Sequence, residues 1–253
     1  SFVFVKPVGL SSLGSLTGVN SMVWLSFNAS VTSPEDVGDE DERDKETGVP
    51  ETLPLRHKWV MWQQLMSSGA KMAYGESTKQ LATVETVEEF WDVWDRLPQP
   101  SELLAKRMVE NDTAGTSHVV DAIMIFRDGV LPQWEDAANA NGGHFQFQLK
   151  ASIGAGQIDE YWNNLVLGAV GSTLEPADMI TGMRLVDKLS TGKGSGPGVV
   201  RMEVWFDKFQ DQKAVQTLQR NVERCMATKT LEGCLAAAVP KAELKHHKMT
   251  RHQ

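Results

Sequence analysis

The sequence predicts an α+β domain, an antiparallel sheet with its helices gathered on one face. Three observations lead there. HFQFQL (144–149) alternates polar and apolar residues at period two, the pattern of a half-buried antiparallel strand. TVEEFWDVWDRLP (86–98) and QKAVQTLQRNVERCM (212–226) instead repeat their apolar residues at helical spacing. The links between elements are mostly of hairpin length, too short for the crossovers that parallel strands require.

Taken in order, residues 1–52 carry no sustained periodicity and end in an acidic run punctuated by Pro and Gly, so they are expected to form a disordered extension. Order is expected from LPLRHKWVMWQQ (53–64), a strand-like run, to the basic tail at 253. A loop, SSGAKMAYGEST, leads into a short strand, KQLATVE. In the helix that follows, Thr86 and Glu89 have capping-box spacing, Val87, Phe90, Trp91 and Trp94 share one face, and Pro98 stops it. SELLAKRMVEN (101–111) reads as a second short helix and VVDAIMIF (119–126) as a strand. QIDEYWNNLVLGAVG makes a helix that turns Ile158, Trp162, Leu165 and Ala169 inward. MITGMRLV and VVRMEVWF flank a glycine-rich loop, and after the last long helix CLAAAV (234–239) reads as a final strand.

Charge is unevenly placed. Of the net −8, the run EDVGDEDERDKE (35–46) contributes −6 through eight acids and two bases, which leaves the remainder close to neutral. The last thirteen residues carry four bases, one acid and three histidines. Two cysteines, Cys225 and Cys234, are too few for a disulfide framework and suit a reducing compartment. The N-terminal apolar runs are shorter than a signal h-region, and nothing approaches the ~20 apolar residues of a membrane span. A cytoplasmic or nuclear location without membrane contact is therefore expected, and the sequons at Asn28 and Asn111 are read as chance occurrences.

The loop GKGSGPG (192–198) fails both phosphate-loop patterns: Asp187 and Gly194 stand where a Walker motif needs Gly and Ser or Thr, and a strand rather than a helix follows. Histidines 57, 118 and 144 are scattered, none pairs with cysteine at zinc spacing, and no G-x-S-x-G elbow is present. No catalytic constellation and no cofactor is expected. Trp134 stands apart from the other tryptophans. It lies in LPQWEDAANANGGHF, among turn-formers, and on no periodic apolar face. A ring held out there can stack on a planar ligand. The adjacent Glu135 offers two acceptor oxygens, a match for the N1–H and N2 donors of a guanine edge. A methylated, cationic base would add cation–π attraction.

FRDGVLPQWEDAANANGGHF resembles the signature of the cap-binding translation initiation factor 4E family, F-K-D/E-G-I-x-P-M-W-E-D-x-x-N-x-x-G-G-x-W. HKWVMW, TVEEFW, DEYWNNLVLGAVG and the pair MITGMRLV and VVRMEVWF resemble its other conserved pieces, in order, over about 53–240. The resemblance implies a cup-shaped fold, a curved antiparallel sheet with about three helices on its convex face. It implies a binding protein, not an enzyme, for the 7-methylguanosine cap of mRNA in translation initiation. Trp134 and Tyr74 would sandwich the base, Glu135 would read its edge, and Trp205 would touch the N7-methyl group. Lys188, Arg201 and Lys193 would hold the triphosphate, with Lys245 and Lys248 of the tail nearby. A monomer is expected, with a scaffold initiation factor or a 4E-binding protein docking a Tyr-x-x-x-x-Leu helix on Pro54, Val87, Trp91, Asn163, Asn164 and Leu167.

Three departures qualify this picture. The family helix reads W-L-E where this chain has Trp162-Asn163-Asn164, so the usual acid is missing from the docking face. His144 and Phe145 replace a basic-aromatic pair, and 99–118 and 189–198 are longer than usual. Two alternatives therefore stay open: a repressor that occupies caps, or an enzyme of guanine nucleotides. The second would need a metal-binding acid cluster, and the dense one lies at 35–46.

Overall fold

The computed structural model describes residues 52–66, 77–105, 108–111, 117–188, 199–228 and 240–247. The acidic extension, Tyr74, Lys193, the glycine-rich loop, the strand expected at 234–239 and Lys248 lie outside them. Among the described residues, eight antiparallel strands form one curved open sheet in the order β2-β1-β4-β6-β7-β5-β8, with β3 on the free end of β4. They are β1 (Pro54–Leu65), β2 (Thr78–Thr86), β3 (Val109–Asn111), β4 (Ser117–Arg127), β5 (Gly143–Lys150), β6 (Ile180–Lys188), β7 (Val199–Phe206) and β8 (Glu243–His246). The helices are α1 (Val87–Trp94), α2 (Pro100–Ala105), α3 (Ala155–Val170) and α4 (Gln212–Ala227).

Strand alternation divides the residues between two faces. On β7, Val200, Met202, Val204 and Phe206 join the main core beneath the helices, whereas Trp205 belongs to a second cluster with Met124, Phe126 and Val186. The helices cover the convex face through Phe90 and Trp94 of α1, Trp162 and Leu165 of α3, and Leu218 and Val222 of α4, all at most 1% exposed. Truncating a ring as fully packed as Trp162 would cost about 3–5 kcal/mol.

Local chemistry sets the ends of these elements. The capping box at α1 is present: Thr86 Oγ1 accepts from the Glu89 amide (3.2 Å), and Glu89 Oε2 accepts from the Thr86 amide (3.3 Å). Asp211 caps α4 by accepting from the Ala214 amide (3.1 Å). The single helix expected over 101–111 is instead two elements. α2 ends at Ala105, and Val109–Asn111 pairs as β3 with Val119, His118 and Ser117 of β4. The β-branched Val109 and the Glu110 carboxylate, which takes Lys79 at 2.9 Å and an amide from Gln63, favour the extended form. The last described strand, β8, comes from within the basic tail and pairs Gly143–Gln146 of β5 with His246–Glu243.

Candidate ligand-binding site on the concave face

β4 and β5 are consecutive in sequence, yet β6 and β7 lie between them in the sheet. The connection 128–142 must therefore cross three strand spacings, roughly 14 Å at 4.8 Å each. That requirement explains a long turn-rich segment at this place. Gly129, at φ +80°, makes the first bend in a conformation few other residues tolerate. At the far end, a Cβ on Gly142 would fall 1.9 Å from the Phe206 carbonyl oxygen, so only glycine fits there.

Side chains of the loop fasten it internally. Asp136 accepts from the amides of Leu131 (3.0 Å) and Ala138 (2.9 Å). Asn139, wholly buried, donates to the carbonyls of Leu131 (2.9 Å) and Gln133 (3.0 Å), and its oxygen accepts from Thr181 Oγ1 of β6 (2.8 Å). The result is a rigid arch that presents Trp134, 53% exposed, with Glu135 exposed beside it.

Below the arch lies a cavity of about 270 Å³. Trp134, His144, Gln146, Arg184, Arg201, Glu203 and the tail residues Lys245, His246 and His247 line it. Glu203 is only 2% exposed. Its carboxylate accepts from Trp205 Nε1 (2.9 Å) and lies 2.8 Å from Arg201 Nε and 3.5 Å from Arg184 Nη1. Burial alone would raise this carboxyl; the charges of Arg184, of His144 when protonated and of Arg201, with the indole N–H, outweigh it and hold the group below the usual range. Arg184 also donates to Gln64 Oε1 (2.8 Å) and sits over the Trp205 ring at 5.6 Å. One buried acid thus anchors two guanidinium groups in the wall, leaving the site net positive and suited to an anion.

The histidines lie on the same face. His144 stacks on Trp205 at 5.6 Å, and its Nδ1 meets His247 Nε2 at 2.9 Å. Burial drives its pKa down to about 4, against the pull of Glu203 and with His247 and the two arginines pushing the same way as burial. His247 is lowered as well, again chiefly by burial, although the Asn139 carbonyl opposes this.

The expected residues are brought together in part. Trp134, Glu135 and Arg201 gather at the arch and cavity, while Trp205, 1% exposed, lies beneath them under His144 and His247 rather than open to a ligand. Lys188 ends β6, paired with Val199, and its side chain is outside the described part. Sequence reading missed Arg184, Glu203 and His247. The first two were legible only as alternate residues of two strands; the tail is expected near the phosphates through Lys245 and Lys248, but not with His247 packed into the site. Among the described residues, no three His, Cys, Asp or Glu side chains gather as metal ligands would.

On the helical side, the Val87 amide donates to the Leu53 carbonyl (2.8 Å), which brings exposed Pro54 close to half-buried Val87, with Trp91 about one helical turn beyond Val87. Trp91 and Leu167 are half-buried against the core. The two asparagines are engaged within the fold. Asn163 accepts from Trp94 Nε1 (3.0 Å) and donates to Gln99 Oε1 and the Asp159 carbonyl, both at 2.9 Å. Asn164, 9% exposed, donates to the carbonyls of Met226 (3.2 Å) and Thr228 (2.5 Å), tying α3 to the end of α4. The expectation that Asn164 lines an open docking face is corrected: its amide points inward because those helix-terminal carbonyls need a donor.

Comparison with known proteins gives a consistent answer. The family model for eukaryotic initiation factor 4E matches residues 54–248. Eukaryotic translation initiation factor 4E-2 of Schizosaccharomyces pombe is 28% identical over 173 residues, 68% of this chain and 61% of that one. Eukaryotic translation initiation factor 4E of Saccharomyces cerevisiae is 33% identical over 125 residues, 49% of this chain and 51% of that one. The chain thus spans about half to under two thirds of the length of these relatives. Among solved structures, Ascaris suum eIF4E-3 with an m2,2,7G cap aligns at a TM-score of 0.53 and 17% identity, over 76% of this chain and 98% of that one. C. elegans eIF4E-3 in complex with the 4E-binding protein Mextli aligns at 0.53 and 18% identity, over 71% and 89%.

Proposed function

Because the chain belongs to the eukaryotic initiation factor 4E family, we propose that its concave face binds the 7-methylguanosine cap of mRNA and that the protein acts in translation initiation. One observation carries the reading: an indole 53% exposed, on an arch fixed by buried Asn139, beside an exposed carboxylate and above a cavity walled by Arg184 and Arg201. Trp134 stacks on the base, worth roughly 1–3 kcal/mol. Glu135 accepts from the guanine N1–H and N2 amino group, and the arginines, with Lys188, Lys193 and Lys245, face the phosphates. Tyr74 is the second ring of the sandwich. This is binding without bond-making, and it calls for no cofactor.

The partner surface is the convex side at Pro54, Val87, Trp91 and Leu167, where an amphipathic Tyr-x-x-x-x-Leu helix of a scaffold factor or a 4E-binding protein docks. Asn163 and Asn164, engaged within the fold, supply no carboxylate to that helix, so a partner relying on apolar contacts fits best. A cytoplasmic monomer is the setting this role requires.

Tryptophan fluorescence titrated with 7-methyl-GTP, with GTP as control, tests the reading on wild type and Trp134→Ala. A strong preference for the methylated nucleotide, lost in the variant, is the expected result. Equal affinity for both nucleotides would overturn it. Metal-dependent turnover of capped RNA would favour an enzyme instead.

A further inference from the structure

An exposed stacking ring has a difficulty of its own. Trp134 is 53% exposed, and an indole with nothing against it samples several rotamers, each of which must be given up on binding. One side chain packs along it. The His247 ring lies 14° from parallel, with centroids 6.2 Å apart.

His247 is itself tightly placed, at 3% exposure. Its Nδ1 lies 3.0 Å from the Asn139 carbonyl oxygen, which can only accept, so Nδ1 carries the proton. A neutral ring then has Nε2 bare, and it accepts from His144 Nδ1–H at 2.9 Å. Trp205 closes the remaining side at 4.4 Å. The register of β8 delivers the ring to this spot: Gly143 pairs with His246, the His247 amide donates to the Gly142 carbonyl (3.1 Å), and His246 stacks on Phe209 at 4.0 Å.

The spacing says which role His247 can take. A planar base needs about 3.5 Å on each of its faces, so two parallel rings must stand about 7 Å apart to admit one. The gap between the planes of Trp134 and His247 cannot exceed 6.2 Å by more than their small tilt allows. No base fits between them as they stand, and the rest of the Trp134 surface is what remains open to a ligand.

We propose that His247 is a positioning residue for the base site: it backs the Trp134 indole and holds it in its stacking pose, so that the residue directly after β8 is a working part of the ligand site. The inference rests on the cap-binding reading, and its test separates the two.

The full chain, labelled with 5-fluorotryptophan, is studied by fluorine NMR and by titration with 7-methyl-GTP, as wild type, His247→Ala, Trp134→Ala and the double variant. In His247→Ala the Trp134 resonance, assigned by its loss in Trp134→Ala, shifts or broadens. Affinity falls roughly three- to tenfold, the range one aromatic pair supplies. The same change in the Trp134→Ala background costs nothing further. Tighter binding in His247→Ala would make the ring a plug and overturn the proposal, as would an effect that persists without Trp134. If wild type binds no 7-methyl-GTP, the cap reading fails, and an unmoved Trp134 resonance would then overturn the backing role independently. Should His247→Ala not fold, His247→Phe keeps a stacking face and is expected to leave the Trp134 resonance ordered; a broadened one would overturn the proposal.

Discussion

Arg184 of β6 and Glu203 of β7 stand directly opposite each other in the sheet, and Arg184 Nη1 lies 3.5 Å from Glu203 Oε2 on the concave side. Cross-strand placement makes the pair possible; burial makes it consequential. A carboxylate 2% exposed is tolerable only with its counter-charges, and Arg201 supplies the second from two residues away on the same strand.

Glu203→Gln is expected to destabilise the fold by roughly 3 kcal/mol, the lower part of the range for breaking a buried ion pair, because Arg201 keeps a quarter of its side chain in water. Urea unfolding against wild type measures this. A loss under about 0.5 kcal/mol would show that water neutralises the arginines without help from Glu203.

Acid should weaken the protein through His144. Its folded pKa is lowered to about 4 from an ordinary 6.5, so the unfolded chain takes up the proton first. Stability is therefore full above about pH 6.5 and declines as the pH falls towards 4, by up to about 3 kcal/mol. Arg184, Arg201 and His247 disfavour protonation and Glu203 favours it, but burial dominates. Unfolding midpoints at pH 7 and pH 4.5 check the slope. In His144→Phe the slope between those values should flatten markedly, and an unchanged slope would assign the acid sensitivity elsewhere.

Asn139→Ala removes a buried amide that bonds Leu131, Gln133 and Thr181 at once. Two carbonyls and a hydroxyl lose their partner, a cost of roughly 2–3 kcal/mol. The effect should appear locally as faster amide exchange across 131–142, together with weaker 7-methyl-GTP binding through a loosened Trp134. Unaltered exchange in that loop would mean that Asp136 and Gly142 suffice to hold the arch.

Period and capping chemistry made most of the fold legible: strands β1, β2 and β4 to β7, α1 with its Thr86–Glu89 box, and the long helices α3 and α4 follow from spacing that each segment carries within itself, whereas β8 in the tail was not expected. The helix expected over 101–111 failed at its second half because Val109–Asn111 becomes a strand only when β4 offers a partner, and no local pattern contains that partner. The asparagines of α3 likewise read as surface residues until Met226 and Thr228 came within reach of Asn164.

Of the site, the sequence by itself determined the arch and its ring, since Trp134 interrupts turn-forming residues and Glu135, Asn139 and Gly142 stand at fixed offsets from it. Beneath it, Arg201 and Lys245 are expected from the resemblance, but tertiary structure alone decided how they meet the other residues of the cavity. Arg184, His144, Arg201, Glu203 and His247 come from three strands and the tail, and strand order, not sequence distance, sets them side by side. The reason is physical: a loop conformation is fixed by backbone preferences and short-range hydrogen bonds, whereas a buried charge network exists only where the sheet register makes opposite charges meet out of water.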